Sequence, residues 1–306
     1  MKKLFVLFAA AFMALTPAMA AHESNPAEAK METKAYSLNN FDGLDVSWIY
    51  HVELNKASGY KVEVEAPDFV MPYLQVKVRG GNLVLGVSNL PGDVRRKIER
   101  GNYEVNAYVT LPELNSIEMS GASRLISLGE FQTASFSMEL SGASSLKGLQ
   151  MKANTADIRC SGASKYQITG PVKVARIGLS GAAKGTMESD GTDLTADLSG
   201  SGKLDLTGVY DQADLELSGA SHVHIKGALE NVRLSGSGAA KADLTECPAK
   251  VVRVDLSGAS SARIVALDKL GVGLSGASTC QYKAGEHLQI TDTDVDRGAS
   301  LRKLSN

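Results

Sequence analysis

A four-residue turn, Ser-Gly-Ala-Ser, recurs about every 19 residues through the later two-thirds of the chain and constrains its fold more than any other feature. Full copies begin at Ser120, Ser141, Ser161, Ser218, Ser257 and Ser275, variants begin at Ser180, Ser199 and Ser237, and a degenerate copy reads Arg297-Gly298-Ala299-Ser300. From Ser120 to Ser275 the steps are 21, 20, 19, 19, 19, 19, 20 and 18 residues. A unit this short cannot bury an apolar face alone, so it must stack on copies of itself as a solenoid.

The residues around each turn decide which solenoid. One and three residues before the motif serine stand apolar pairs such as Met138/Leu140, Ile177/Leu179, Leu215/Leu217, Val254/Leu256 and Val272/Leu274. Five and seven residues after it stand Leu204/Leu206, Val223/Ile225, Ala242/Leu244 and Ala262/Ile264. Alternation with period two on both sides of a tight turn reads as strand, corner, strand, with one parity buried and the other solvated. Glycine supplies positive φ at the corner, and Ala and Ser crowd it little. The pattern predicts an all-β, right-handed parallel β-helix of 19–20 residues per coil. Its nine to ten coils extend about 45 Å at the ~4.8 Å strand spacing, with the motif serines forming hydrogen-bonded ladders.

Stacking arranges the remaining side chains in columns. Glu118, Glu139, Asp197, Glu216 and Asp255 precede the inner leucine, and Arg124, Lys165, Lys184, Lys203, His222 and Lys241 follow the turn. The reading is a solvated edge with opposite charges facing across the corner, Asp197 near Lys203 and Glu216 near His222; a ligand-binding stripe is the alternative. Cys160 and Cys280 fall at inner positions six repeats apart, and Cys247 lies elsewhere on its coil. Cys160 and Cys280 then stand on the order of 29 Å apart, and Cys247 and Cys280 one to two coils apart at different points around the coil, against a ~7 Å limit for a disulfide; the reading is three free, buried or partly buried thiols.

Residues 1–20 read as a secretory signal, with Lys2 and Lys3, an apolar stretch from Leu4 to Leu15, and the Ala18-Met19-Ala20 cleavage site. The apolar stretch is too short for a membrane span, and no later segment has that length and apolarity. Loss of Lys2 and Lys3 takes the formal charge from −2 to −4, which gives no electrostatic case for nucleic acid. The chain then divides into a flexible lead-in (21–33), a β-rich N-terminal cap (34–115), the coils (116–301) and a short tail (302–306). The cap contains strand-like runs such as Tyr60–Val64 and Leu74–Val78, lacks the short repeat, and holds Val94–Arg100 as a short helix or basic loop. Its task is to cover the open edge of the first coil.

Catalytic chemistry is sparse. The densest acidic region, Asp190, Asp193, Asp197, Asp211 and Asp214, scatters over turns and outward positions with no aromatic platform for sugars. His222 and His224 share an outward parity but gain no aligned third ligand. Asp292, Asp294 and Asp296 alternate, and in register with Gly298 the last two fall at inner positions. They either stop further stacking or bind Ca²⁺. No catalytic, cofactor or metal residue is assigned.

In order, Phe41-Asp42-Gly43-Leu44-Asp45-Val46-Ser47, Gly81-Asn82-Leu83-Val84-Leu85, Val109-Thr110-Leu111-Pro112-Glu113-Leu114 and the Ser-Gly-Ala-Ser turns resemble the bacterial head-GIN-domain proteins over residues 36–300. The resemblance implies a β-helix shaped like the pectin lyases but without their catalytic residues, a role in adhesion, and a trimeric head; no membrane-barrel translocator is visible here. The resulting expectation is a non-enzymatic, exported module of the periplasm, outer-membrane surface or extracellular space that binds a surface glycan or protein. A carbohydrate-active β-helix enzyme and a periplasmic scaffold are the alternatives.

Overall fold

A computed structural model describes residues 29–305 except Asn102; the expected signal sequence (1–20) and most of the expected lead-in lie outside the described residues. The chain winds into a β-solenoid of about ten turns. Its strands pair in parallel with residues 18 to 21 positions further on, in one continuous sheet. The apolar pairs on either side of the turns line the interior, and Leu140, Leu204, Leu215, Ile225, Val254 and Ile264 are fully buried.

The corner shows why the motif is written as it is. Gly121, Gly142, Gly162, Gly181, Gly200, Gly219, Gly238, Gly258 and Gly276 all sit at φ between 62° and 72°. From Gly142 onward, each lies directly over the glycine of the preceding coil, and a β-carbon there would stand 2.6–2.9 Å from that glycine's carbonyl oxygen. The same carbonyl accepts a hydrogen bond from the next coil's third motif residue: Ala143 N–H to Gly121 at 2.7 Å, Ala220 to Gly200 at 2.7 Å, Ala277 to Gly258 at 2.8 Å. Glycine is therefore required twice, for its dihedral angles and for the closeness of its neighbour. The fourth motif residue points inward. Ser144, Ser164, Ser221, Ser260 and Ser278 are buried, and Ala183 and Ala240 replace them in two coils. The expected serine ladders do not form. Instead Ser123, Ser144 and Ser260 donate to the carbonyl of their own turn's first serine at 2.7–2.9 Å, and Ser164 and Ser278 donate to the Leu140 and Leu256 carbonyls of earlier coils at 3.4 Å, so buried hydroxyls are satisfied by backbone. The ladder is made of backbone.

Unequal steps are absorbed away from this corner. Register shifts occur between Leu146 and Leu149, and between Asp243 and Pro248. In the second, the Asp243 carboxylate accepts from Thr245 N–H and Oγ1–H, at 3.1 and 2.7 Å. Inside, bulk is traded between coils: Tyr166 is buried, and the next residue in its column is Gly185, where a β-carbon would collide with the phenol.

The N-terminal third contains a coil that carries no Ser-Gly-Ala-Ser turn. Strands β1 (Met31–Tyr36), β2 (Gly43–Val46), β3 (Tyr50–Lys56), β4 (Lys61–Pro67), β5 (Leu74–Arg79) and β6 (Asn82–Val87) precede helix α1 (Gly92–Gly101). Strands β7 (Val105–Leu111), β8 (Ser116–Met119) and β9 (Arg124–Ser127) follow it. Strands β2 and β3 form a regular coil, with β8 and β9 stacked in parallel on one side of it. Its corner is Ser47-Trp48-Ile49-Tyr50, and Trp48 takes the glycine position at φ 72°. The Trp48 carbonyl accepts from Ala122 N–H at 2.6 Å, as the glycines do later. The short repeat thus begins inside the segment expected to be cap.

Residues 57–115 leave this coil and return to it. Strands β6 and β7 stack in parallel on the far sides of β2 and β3. Strand β5 closes antiparallel on β6, and β4 then β1 close antiparallel on β7. The change of direction ends the parallel stack. Val94–Arg100 lies within α1, which buries Ile98 and brings the Lys97 ammonium 3.8 Å from the Phe69 ring centre. Strand β1 starts at Met31, so the lead-in ends earlier than its expected boundary at 33.

At the other end, the register corrects the last turn. Val295 pairs with Leu274 and Ser300 with Thr279. The corner is therefore Asp296-Arg297-Gly298-Ala299, one residue earlier than the degenerate copy, with Gly298 third at φ 114°. Asp292 and Asp294 pair with Gly271 and Gly273 on outward columns, and Asp296 sits in the corner, so none is an inner-position block to stacking. Among the described residues no group of three acidic, histidine or cysteine side chains is arranged to hold a metal.

Two predictions follow from the packing. Gly80 also has positive φ (59°), but a β-carbon there meets nothing within 4 Å. In urea denaturation Gly80→Ala should cost about 1 kcal/mol for its dihedral angles. Gly219→Ala should cost a further 1–3 kcal/mol or so for the displaced neighbour; equal losses would show that the column does not hold the stack. Cys160, Cys247 and Cys280 are free and buried, and burial pushes their thiols up to about 12, 11 and 12. At pH 8 a thiol of pKa ~12 is about one part in ten thousand thiolate, so iodoacetamide should label none of the three until the protein is unfolded.

Candidate functional site

The corner divides the surface into two sheets, one formed by strands approaching the turn and one by strands leaving it. On the approaching sheet the column two residues before the turn runs Asp45, Glu118, Glu139, then Arg159, and later Asp197, Glu216 and Asp255. Asp45, from the coil hidden in the N-terminal third, extends the acidic series by one. Stacked like charges disfavour their own ionisation. The Glu118 carboxyl is raised above its ordinary value by partial desolvation and by Asp45 and Glu139 on either side.

Arginines relieve part of this sheet. Arg159 holds Asp157 at 2.7 Å, and Arg253 holds Asp255 at 3.1 Å and Asp292 at 3.5 Å. An open groove of about 500 Å³ runs along the same side, lined by Glu139, Asp157, Arg159, Arg176, Thr195 and Asp197. Another, of about 810 Å³ at a second corner, is lined by Asn115, Gln132, Thr133, Lys152, Asn154 and Lys173. Both are shallow troughs across several coils. They offer amides, hydroxyls and charges to an extended ligand, but no enclosed space around a reacting atom.

The acidic group of residues 190–214 separates accordingly. Asp193, Asp197 and Asp214 share the approaching sheet on three different columns. Asp190 lies at the second corner, where its carboxylate accepts from Val209 N–H at 2.8 Å and so serves the backbone. Asp211 is exposed at that corner, with its own N–H bonded to Thr192. No arginine or lysine pairs with any of the five among the described residues.

The departing sheet carries the opposite sign. Lys165, Lys184, Lys203, His222 and Lys241 occupy one column in five successive coils. The expected pairing across the corner is absent: none of these lysines forms an ion pair with Asp197, Glu216 or any other carboxylate among the described residues. His222 is held below its usual pKa by partial burial and by Lys203, against the pull of Asp205 and Asp243. His224 lies on the next outward column, with Nε2 3.6 Å from Glu246. The two histidines share a strand but have no third ligand. Both columns were visible from spacing; that they do not pair with each other was not.

These features match a known group of proteins. The sequence model of the family described as "Putative auto-transporter adhesin, head GIN domain" matches residues 40–189 and 180–285. No functionally curated protein matches the chain. Among solved structures, a "putative adhesin" from Parabacteroides merdae is 15% identical, with TM-score 0.51, covering 91% of this chain and 98% of its own. A "putative adhesin" from Parabacteroides distasonis is 15% identical, with TM-score 0.52, covering 90% and 98%. At that identity the likeness is one of fold. The family model spans the Trp48 corner and all but the last of the stacked turns, and the chain belongs to the head GIN domain family.

Proposed function

We propose that this protein is a non-enzymatic, adhesin-like binding module of the cell envelope or surface, exported by its N-terminal signal. It works by display: a rigid stack holds polar side chains in straight columns and presents them to a glycan or protein. The observation that carries this reading is the pairing of family membership with a surface of long outward columns and open troughs. Such a surface favours many weak contacts along an extended partner over one deep pocket. Among the described residues no helix is long and apolar enough to cross a membrane, which agrees with an exported module.

Two measurements test the proposal. Protease added to intact cells should cleave the protein; full protection until the envelope is opened would place it inside and remove the adhesin reading. Purified protein should bind members of a glycan and matrix-protein array without consuming them. Turnover of a uronic-acid polymer that is lost in Asp197→Asn would replace display with catalysis.

A further inference from the structure

The departing sheet stacks basic side chains over five successive coils, a longer row than the three stacked carboxylates Asp45, Glu118 and Glu139 of the approaching sheet. Several cross-coil charges are matched: Lys226 with Glu246 at 3.1 Å and Lys250 with Glu230 at 2.6 Å on neighbouring coils, and Arg253 with Asp292 at 3.5 Å two coils away. Lys165, Lys184 and Lys203 instead stand directly over one another in consecutive coils, His222 continues the column, and Lys241 ends it. All four lysines are exposed, and none of their ammonium groups has an ion-pair or hydrogen-bond partner among the described residues. Neighbours in the column are separated by one strand spacing, about 4.8 Å. Like charges directly opposite on adjacent strands are destabilising. A glutamate at either Lys184 or Lys203 would relieve the repulsion, as Glu246 does for Lys226 two columns away.

We propose that this column is the binding stripe for an anionic polysaccharide, a chain of sugar acids or sulfated sugars lying along the solenoid axis. The proposal rests on the display reading and names its ligand class and face. A straight row of ammonium groups matches a polymer whose carboxylates or sulfates recur along an extended backbone, and flexible lysine stems take up differences in spacing. The adjacent outward column supplies groups suited to sugar hydroxyls: Gln167, Thr186, Asp205 and His224, in register with the cations. The carboxylate of Asp243 is already engaged by Thr245. A nucleic acid is a poorer fit, because no exposed aromatic side chain flanks the stripe to stack on bases; Tyr166 and Tyr210, the aromatic residues in these coils, are buried. An anionic membrane is a poorer fit as well, because no apolar side chain is interleaved with the lysines to enter the bilayer.

The test compares full-length mature protein with Lys184→Gln/Lys203→Gln and, as a control of equal charge change, Lys226→Gln/Lys250→Gln. Surface-plasmon resonance would use immobilised polygalacturonate and chondroitin sulfate, with dextran as the neutral polymer. Wild type and control should bind at least one acidic polymer and not dextran, with affinity falling steeply as salt is raised. The stripe variant should lose about tenfold or more, equivalent to ~1.4 kcal/mol. Its thermal midpoint without ligand should be unchanged or higher, because a repulsion has been removed; a variant that loses binding through misfolding would melt lower. Equal loss in the control, or no binding of either acidic polymer, overturns the proposal. Stronger binding to single-stranded DNA or to phosphatidylglycerol vesicles, with the same dependence on Lys184 and Lys203, also overturns it in favour of that partner. Binding to a neutral glycan or matrix protein that the stripe variant retains leaves the display reading in place and removes the stripe. Acidic-polymer binding by a protein fully protected inside intact cells keeps the stripe and removes the surface role.

Discussion

The fold depends on the contact between one glycine carbonyl and the next coil's corner. That carbonyl accepts a 2.7 Å hydrogen bond from the residue after the following glycine, and its oxygen sits where that glycine's β-carbon would be. Nine such glycines at nearly the same φ hold the coils at a common phase. Once the phase is fixed, the parity of both flanking strands is fixed, because side chains alternate with period two. A slip of one residue would turn Leu140, Leu179, Leu198 and Leu217 outward together. The corner therefore sets the core and also sets which charges share a column. Variation in repeat length is tolerated because it is taken up elsewhere, at the bulges near Leu146 and Asp243.

Much of this was legible in the sequence because the corner has few solutions. A residue at positive φ, a β-carbon's width from another backbone, is almost always glycine, so the motif marks its own position. Legibility fails where another interaction substitutes for that one. At the first corner Trp48 adopts the glycine dihedral, and the motif disappears from the sequence although the coil remains. Its phase is still written in the flanking pairs: Leu44 and Val46 precede Ser47 by three and one, and Val52 and Leu54 follow by five and seven. At the last corner the glycine moves to the third position, and counting from Gly298 misplaces Asp294 and Asp296 by one residue. Placing Val295 in the row of Leu274 restores the register. The apolar parity is thus a firmer guide than the motif where the two disagree.

The N-terminal end could not be read by either rule. Strands β4, β5 and β1 are antiparallel; β1 precedes the first coil, and the segment carrying β4 and β5 is inserted between two coils that touch in space but are 73 residues apart at Val46 and Met119. Local sequence specifies strands there without specifying that the chain must leave a coil, cover it and return. The physical reason for the detour is the edge itself. A parallel stack presents the same unpaired backbone at every step, and only a strand of opposite direction or a crossing helix ends the series. The structure uses both, with β5 on β6, β4 on β7, and α1 joining the two sides.

A repeat that leaves so little room for variation inside concentrates variation outside. The inner rows accept Leu, Ile, Val, Ala or Cys with little consequence for shape, whereas each outward column can hold any polar residue without disturbing the corner. The result is a surface whose positions are set by backbone geometry and whose chemistry is set column by column. Acidic residues with their arginines gather on one sheet and unpaired lysines on the other. A single coil offers only two or three outward side chains to a ligand, too few for selective recognition by contact alone. Repetition makes up the difference, because a partner that is itself a regular polymer meets the same group at every step. Each contact can then be weak and salt-sensitive while the total is not. For a solenoid with open troughs in place of a pocket, periodicity is the property by which a ligand can be chosen.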